Sequence, residues 1–271
     1  MANYIKSLRI NQVELLTRSV ESDQRETRGV PYTVSNGIKR LDLTAQIVGM
    51  DYFEDILSPC VMMTIDILSS APIFNGFPIR GGEKVILDVD TASGKFLLET
   101  ENDREDYAMY VYKVSGYTSD GASEQFRLHL VSKEGMSNEV TRCQKKYGKV
   151  PINQHVTDIL ENVLGTEKFN ESNIERTSNS YSFIGNQKKP FHILTWLCPK
   201  GIPATGSSGT RGSEARGVAG YLFYETRDGF NFKSIDKLVS ETSSDSTRNI
   251  IGSYSYDSVR QEDSSDFSII N

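Results

Sequence analysis

The chain has 271 residues with 30 Lys and Arg against 36 Asp and Glu, a formal net charge of -6 and a pI near 5.3. This length accommodates two domains or three small ones, and the acidic balance argues against a protein that holds nucleic acid by neutralising phosphates. The sequence has neither a secretory signal nor an apolar run of about 18 residues, so it predicts synthesis and folding in the cytosol without membrane insertion.

Residues 1–98 are predicted to form an all-β module. The segment RLDLTAQIV is interpreted as one half-buried strand, and VMMTIDIL and KVILDVD as two more, because apolar and polar residues alternate along each. The predicted inward faces are Leu41, Leu43, Ala45 and Ile47 in the first, Val61, Met63, Ile65 and Ile67 in the second, and Val85, Leu87 and Val89 in the third. The connection from 71 to 82 is punctuated by Pro and Gly but carries apolar side chains that need cover, namely Ile73, Phe74, Phe77 and Ile79.

A module boundary is predicted close to the polar run ETENDRED at 99–106, so that a peripheral α+β domain spans 99–239. It opens with two strands joined by a turn at Ser119–Asp120–Gly121, the second with Phe126, Leu128 and Leu130 on one face and His129 on the solvent or interface side. Two helices follow. One starts at Pro151 and stops at Gly165, and the other runs from Pro190 to before Pro199.

The last part of this domain is a Gly/Ser-rich stretch followed by an aromatic hairpin. Residues 201–220 are predicted to be a flexible loop, because they lack the apolar surface that offsets ordering entropy. The segment YLFYETRDGFNFKSID is predicted to be a hairpin turning at Asp228–Gly229. Its aromatic residues are interpreted first as domain core, with a partner surface as the alternative. Residues 240–271 are a candidate start of a second module.

The sequence offers no arrangement typical of catalysis or metal binding. Three cysteines, Cys60, Cys143 and Cys198, are far apart without a CxxC pair, and three histidines include no metal-binding motif. His155 lies one position off the apolar stripe of its helix and is predicted to be at the surface. We therefore predict no catalytic residue, no metal and no cofactor, although two carboxylates brought together by the fold, as in a glycosidase, stay open.

Taken in order, several segments resemble the central baseplate hub proteins of contractile-tailed phages of the T-even type, which are distantly related to the spike proteins of type VI secretion. FEDILSPCVMMTIDILSSAPIFNGFPIRGGEKVILDV is similar to the first tube domain of that family. QFRLHLVSKEGMSNEVTRCQKKYG with PINQHVTDILENVL, and KKPFHILTWLCPKGIP with GYLFYETRDGFNFKSIDKL, are similar to its following domain. The resemblance covers about Leu41 to Leu238.

The resemblance implies a mainly antiparallel α+β chain with a β-barrel-like tube domain and a mixed peripheral domain. It also implies a non-enzymatic structural protein of the virion tail baseplate. The expected assembly is a homotrimeric hub ring that joins the tail tube to the central spike and lets DNA pass without specific binding. Expected partners are the tail tube protein and the central spike protein, with baseplate wedge proteins and the tape measure protein as further contacts. We expect the trimer interface among Ile73, Phe74, Phe77, Tyr221, Phe223, Phe230 and Phe232, although the first three could equally fold back on their own sheet.

The chain departs from the family pattern in showing one complete tube-like module where family members carry two. A hexameric ring, or a second protein that supplies the missing half, are therefore alternatives to the trimer. Two functions from other classes stay open. These are a cell-wall hydrolase and a carbohydrate-binding module that uses the hairpin aromatics as a platform, each attached to an injection device.

Overall fold

The chain has an α+β fold dominated by antiparallel strands. The computed structural model describes residues 8–18, 33–35, 38–77, 79–91, 94–97, 108–204 and 220–241. The polar run at 99–106, most of the loop predicted at 201–220 and nearly all of the candidate module at 240–271 lie outside these residues. None of the described helices is long and apolar enough to cross a membrane.

The N-terminal part of the described chain forms one sheet. Its strands are β1 (Leu8–Arg18), β2 (Thr33–Ser35), β3 (Ile38–Asp42), β4 (Ile47–Phe53), β5 (Met62–Ser69), β6 (Lys84–Thr91), β7 (Gly94–Leu97), β8 (Met109–Ser119) and β9 (Glu124–Ser132). The spatial order is β2-β3-β1-β6-β8-β9-β5-β4, with β7 pairing β6, and every pairing is antiparallel. We call these strands, with the short helix α1 (Ile73–Gly76) between β5 and β6, the sheet unit.

The alternation predicted for three of these strands is confirmed. One face of each points into a single apolar core, and the inward residues are Val61, Met63, Ile65 and Ile67, then Val85, Leu87 and Val89, then Phe126, Leu128 and Leu130. Each such side chain, removed from water, stabilises the fold by about 1.5–3 kcal/mol. The period of two along the sequence is thus sufficient to define the core face of β5, β6 and β9.

The single strand predicted from RLDLTAQIV is wrong, because the chain leaves the sheet in its middle. β3 ends at Asp42, a short 3-10 turn covers Thr44–Gln46, and β4 begins at Ile47. The Asp42 carboxylate accepts hydrogen bonds from the Thr44 amide at 2.9 Å and the Thr44 hydroxyl at 2.6 Å. This local pairing competes with a strand ladder. As a result Leu41 and Leu43 are buried as predicted, whereas Ala45 is exposed.

The position of this turn requires the sheet to curve. β3 and β4 lie near opposite ends of the strand order, yet the five steps from Asp42 to Ile47 span at most about 18 Å. The inward residues of both ends also share one core, for example Leu41 with Met63. The described strands do not join into a closed ring, because β2 and β4 each have one neighbour, so the barrel-like tube architecture stays a prediction.

The predicted boundary near residue 98 falls within this sheet. β8 and β9, assigned from the sequence to the domain at 99–239, pair with β6 and β5. The β5–β9 ladder is continuous from Met62 with Val131 to Ser69 with Glu124. The sheet unit therefore extends to Ser132, where the chain enters the next helix directly.

The second part of the chain, which we call the helical unit, has its own core. Its elements are α2 (Lys133–Val140), β10 (Lys146–Pro151), α3 (Ile152–Ile159) continued by a π-helical turn (Leu160–Leu164), β11 (Ser180–Ile184), α4 (Pro190–Leu197), β12 (Tyr221–Thr226), β13 (Gly229–Ser234) and α5 (Ile235–Glu241). Both predicted helices are confirmed, one ending at Gly165 in a left-handed conformation and the other with Pro190 in its first turn.

The aromatic hairpin is also confirmed, with its turn one residue earlier than predicted. Thr226 pairs with Gly229, so the two loop residues are Arg227 and Asp228. Gly229 has φ +108, and a Cβ atom at this position would lie 2.3 Å from the Lys168 carbonyl oxygen. The glycine is therefore required for contact with the neighbouring segment rather than at the centre of the turn.

Candidate functional site

The three residues predicted for an interface in the sheet unit pack in or against its core. Ile73 and Phe77 are fully covered within the single chain, and Phe74 is half-buried against Tyr117 and Phe126, with ring centroids 4.7 and 5.9 Å apart. The Phe74 amide donates to the Glu124 carboxylate at 3.0 Å. Ile73, Phe74 and Phe77 therefore fold back on the core of their own sheet.

The four hairpin residues predicted for an interface lie in the core of the helical unit. Tyr221 stacks on Phe232 at 4.3 Å, and Phe223 stacks on Phe230 at 5.5 Å, all four being buried. The interpretation as domain core is thus confirmed. The hairpin offers no exposed aromatic platform of the kind that a carbohydrate-binding module would use. A partner would reach these four rings only after the helical unit had opened.

Five solvent-exposed apolar side chains lie on β4, in the turn that follows it and at the start of β5. We call this the β4 surface, and it comprises Val48, Phe53, Ile56, Leu57 and Met62. Leu57 is 74% exposed and Val48 is 60% exposed. β4 is the last strand in the sheet order, and its second edge has no partner among the described strands.

The β4 surface is ordered by local hydrogen bonds. Phe53 and Met62 are directly opposed on the outer face where β4 pairs with β5. In the turn, the Asp55 carboxylate accepts from the Leu57 amide at 2.8 Å, and its carbonyl accepts from Ser58. An Asx turn of this kind fixes the backbone, so Leu57 is held out in solvent by a defined turn.

A second feature lies where the two units meet, at a buried charge cluster. Glu225 of β12 is 2% exposed, and one of its carboxylate oxygens accepts from the Val61 amide at 3.0 Å and the Ser132 hydroxyl at 2.6 Å, both in the sheet unit. The Lys168 ammonium contacts both Glu225 and Glu134 at 3.3 Å. Glu134, also buried, accepts from the Thr166 hydroxyl at 2.7 Å. We call Glu134, Lys168 and Glu225 the junction cluster.

The electrostatics of the junction cluster follow from burial. Burial raises the pKa of the Glu225 carboxyl, the Lys168 ammonium opposes this, and the Glu134 charge adds to it. The two carboxylates raise the pKa of Lys168 against the effect of its burial. Lys168 is therefore an ammonium at neutral pH. In this cluster it is Glu225 whose charged form is disfavoured.

The three thiols are poor nucleophiles. Burial raises the pKa of Cys60 to about 11 and that of Cys198 to about 12, and it also raises the pKa of Cys143. Since the thiolate is the reactive form, each stays a neutral thiol near pH 7. Among the described residues, no group of three or more His, Cys, Asp or Glu side chains could hold a metal ion.

The prediction that His155 lies at the surface is wrong. Its ring is buried in T-shaped contact with Tyr147 and Phe183, which stack on each other, and its Nε2 donates to the Tyr181 carbonyl at 2.8 Å. This hydrogen bond joins α3 to β11 and gives the buried Nε2 atom a partner. His155 is thus a structural residue of the helical unit.

Sequence reasoning missed the residues that now define the two candidate sites. Leu57 and Val48 were not distinguished, because an apolar residue beside a core strand is usually buried. The sequence could have pointed to Glu225, because this acidic residue lies on the same face of the predicted strand as Tyr221 and Phe223 in the run YLFYET. A charge on the apolar face of a hairpin indicates a buried partner.

Neither a family model nor a curated protein matches the chain. Among solved structures, the chain is similar to the 43 kDa tail protein of prophage MuSo2 from Shewanella oneidensis, with 9% identity and a TM-score of 0.46 over 82% of this chain and 52% of that one. It is similar to a tail protein from Neisseria meningitidis MC58, with 11% identity and a TM-score of 0.40 over 75% and 49%. It is also similar to the E. coli c3393 protein, a type VI secretion component described as structurally similar to T4 tail proteins gp27 and gp5, with 10% identity and a TM-score of 0.31 over 72% and 44%. The chain thus spans about half the length of these proteins, and at these scores none of the three likenesses establishes a shared fold.

Proposed function

We propose that the protein is a structural component of a phage tail baseplate, and that it forms a trimeric hub ring that joins the tail tube to the central spike. The observation that carries this proposal is the β4 surface. Exposed apolar side chains grouped along the last strand of a sheet are a liability in a monomer and are covered in an assembly. A closed symmetric ring is one way to cover the same surface in every copy.

The ordered resemblance to hub proteins supports the same proposal. The segment similar to the first tube domain contains β5, α1 and most of β6. The segment that begins QFRLHLVS supplies most of β9, which pairs with β5, and the remaining segments lie in the helical unit. In the proposed baseplate the ring contacts the tail tube protein and the central spike protein, with wedge and tape measure proteins further out. The net charge of -6 suits a ring through which DNA passes without specific binding.

Charged substitutions on the β4 surface are expected to prevent assembly while leaving the chain folded. In native mass spectrometry we expect the wild type at three times the 30.3 kDa chain mass, alone or with tube and spike proteins. Val48→Asp and Leu57→Asp should be monomeric, because a carboxylate would be desolvated in each interface. Circular dichroism should show thermal unfolding within a few degrees of the wild type, since both side chains are exposed.

Ile184→Asp is the matched control, because Ile184 on β11 is 61% exposed, as Val48 is at 60%, and lies on the other unit. It should assemble as the wild type does. A wild-type chain that stays monomeric even with tube and spike proteins present would refute the ring. Equal assembly of Val48→Asp, Leu57→Asp and Ile184→Asp would refute the role of the β4 surface.

A further inference from the structure

The junction cluster holds more negative than positive charge. Two buried carboxylates, Glu134 and Glu225, share the ammonium of Lys168, so the trio carries a net charge of -1 when all three are ionised. A buried negative charge that no positive charge balances is destabilising, and uptake of one proton would neutralise this excess charge. The cluster is therefore built to respond to pH.

Glu225 is the member of the cluster that crosses between the units. Its Oε2 atom accepts hydrogen bonds from the Val61 amide and the Ser132 hydroxyl of the sheet unit. Its Oε1 atom accepts one from the Lys168 ammonium of the helical unit. Glu134, Thr166 and Lys168 all belong to the helical unit. A change in the charge of Glu225 therefore acts directly on the contact between units.

Other titratable groups face the cluster from neighbouring elements. Tyr52 of β4 donates to Glu54 at 3.0 Å, and Glu54 also accepts from the Arg227 amide at the hairpin turn. Glu225 contributes to raising the pKa of Tyr52 well above its usual range, and burial is the main cause. With Cys60, whose pKa is about 11, these phenol and thiol groups stay neutral through the acidic and neutral range.

We propose that the junction cluster is a proton-operated latch between the sheet unit and the helical unit. Uptake of one proton by the cluster tightens the contact, and release of that proton loosens it. Burial and the nearby Glu134 charge favour protonated Glu225, and together they outweigh the Lys168 ammonium and the hydrogen bonds from Ser132 and Val61, which favour the ionised form. Opening the contact hydrates the Glu225 carboxylate, so the ionised form opens more readily.

The sign follows from linkage. The pKa of Glu225 is raised above its ordinary value of 4.5 when the contact is closed, so the closed state binds more protons than the open state above that pH. The stability of the contact is then fully present below about pH 4.5 and is lost as the pH rises through the raised pKa.

Amide hydrogen exchange of Val61 tests the latch, because this amide donates directly to Glu225. After correction for the intrinsic rate, we expect the Val61 protection factor of the wild type to be about threefold or more higher at about pH 5 than at about pH 7.5. Glu225→Gln mimics the protonated form and keeps an oxygen for Val61 and Ser132, so its protection should be independent of pH. Equal pH dependence in Glu225→Gln and the wild type would overturn the latch.

A second variant keeps the test decisive if Glu225→Gln does not fold. Glu134→Gln balances the remaining Lys168–Glu225 pair, so the change in Val61 protection should move to lower pH. Glu167→Gln, at an exposed residue next to Lys168 that takes no part in the cluster, is the control and should behave as the wild type. An unchanged pH dependence in Glu134→Gln would also overturn the latch, whatever the state of assembly.

Discussion

Replacement of Lys168 by Met is expected to lower the free energy of unfolding by about 3–5 kcal/mol at neutral pH. The substitution leaves Glu134 and Glu225 buried side by side without the ammonium that contacts both at 3.3 Å. Removing one partner of a buried ion pair leaves an uncompensated charge, which costs far more than the intact pair contributes. Urea unfolding followed by circular dichroism at about pH 7 measures the loss.

The loss in Lys168→Met should shrink on acidification, because protonation of Glu225 removes one of the two stranded charges. Lys149→Met is the control. Lys149 is exposed on β10, and its substitution should change stability by less than about 0.5 kcal/mol at either pH. If Lys168→Met and Lys149→Met were equally stable at neutral pH, the carboxylates would have to be hydrated, contrary to their burial.

The second large effect is expected from Phe232→Ala, which should cost about 3–5 kcal/mol. The Phe232 ring is fully buried, stacked on Tyr221 at 4.3 Å, and its carbonyl accepts from the Glu175 amide at 2.8 Å. Truncation leaves a cavity in the core of the helical unit, and the pairing of β12 with β13 limits how far the surrounding residues can move to fill that cavity. Thermal or urea unfolding measures the resulting loss of stability.

Phe53→Ala is the matched control, since Phe53 also lies on a strand but is 47% exposed. Its unfolding free energy should fall by less than about 1 kcal/mol. A Phe232→Ala chain of undiminished stability would show that the ring lies outside the core. Glycan binding lost in that chain would then favour the carbohydrate-binding alternative.

Much of the fold follows from local pattern. The alternation in VMMTIDIL, the Pro residue that begins α4 and the Gly residue that ends the helical run at Leu164 are each decided within a few residues. The hairpin is equally local, and its aromatic density was sufficient to predict a core. These elements were predictable because backbone geometry and burial agree along a single segment.

What could not be predicted depends on partners distant in sequence. The strand RLDLTAQIV has good alternation, but Asp42 and Thr44 divert it, and Val13 fixes the diversion by donating to the Thr44 hydroxyl at 2.9 Å. His155 looks peripheral on its helix, yet β11 brings a carbonyl to it. The β4 surface has the apolar residues of a core segment, and its exposure depends on the strand order, in which β4 has one neighbour among the described strands.

Because a chain is synthesised from its N-terminus, the hydrogen bonds of Glu225 can form only after their donors in the sheet unit have been made. All nine described strands of the sheet have been synthesised once Ser132 is made, but the acceptor for Val61 comes 164 residues after it, and the acceptor for Ser132 comes 93 residues after it. At the synthesis rates of about 5–20 residues per second typical of ribosomes, those two donors wait for several seconds or longer. A chain truncated before β12 would contain the whole described sheet and still lack the carboxylate that completes it.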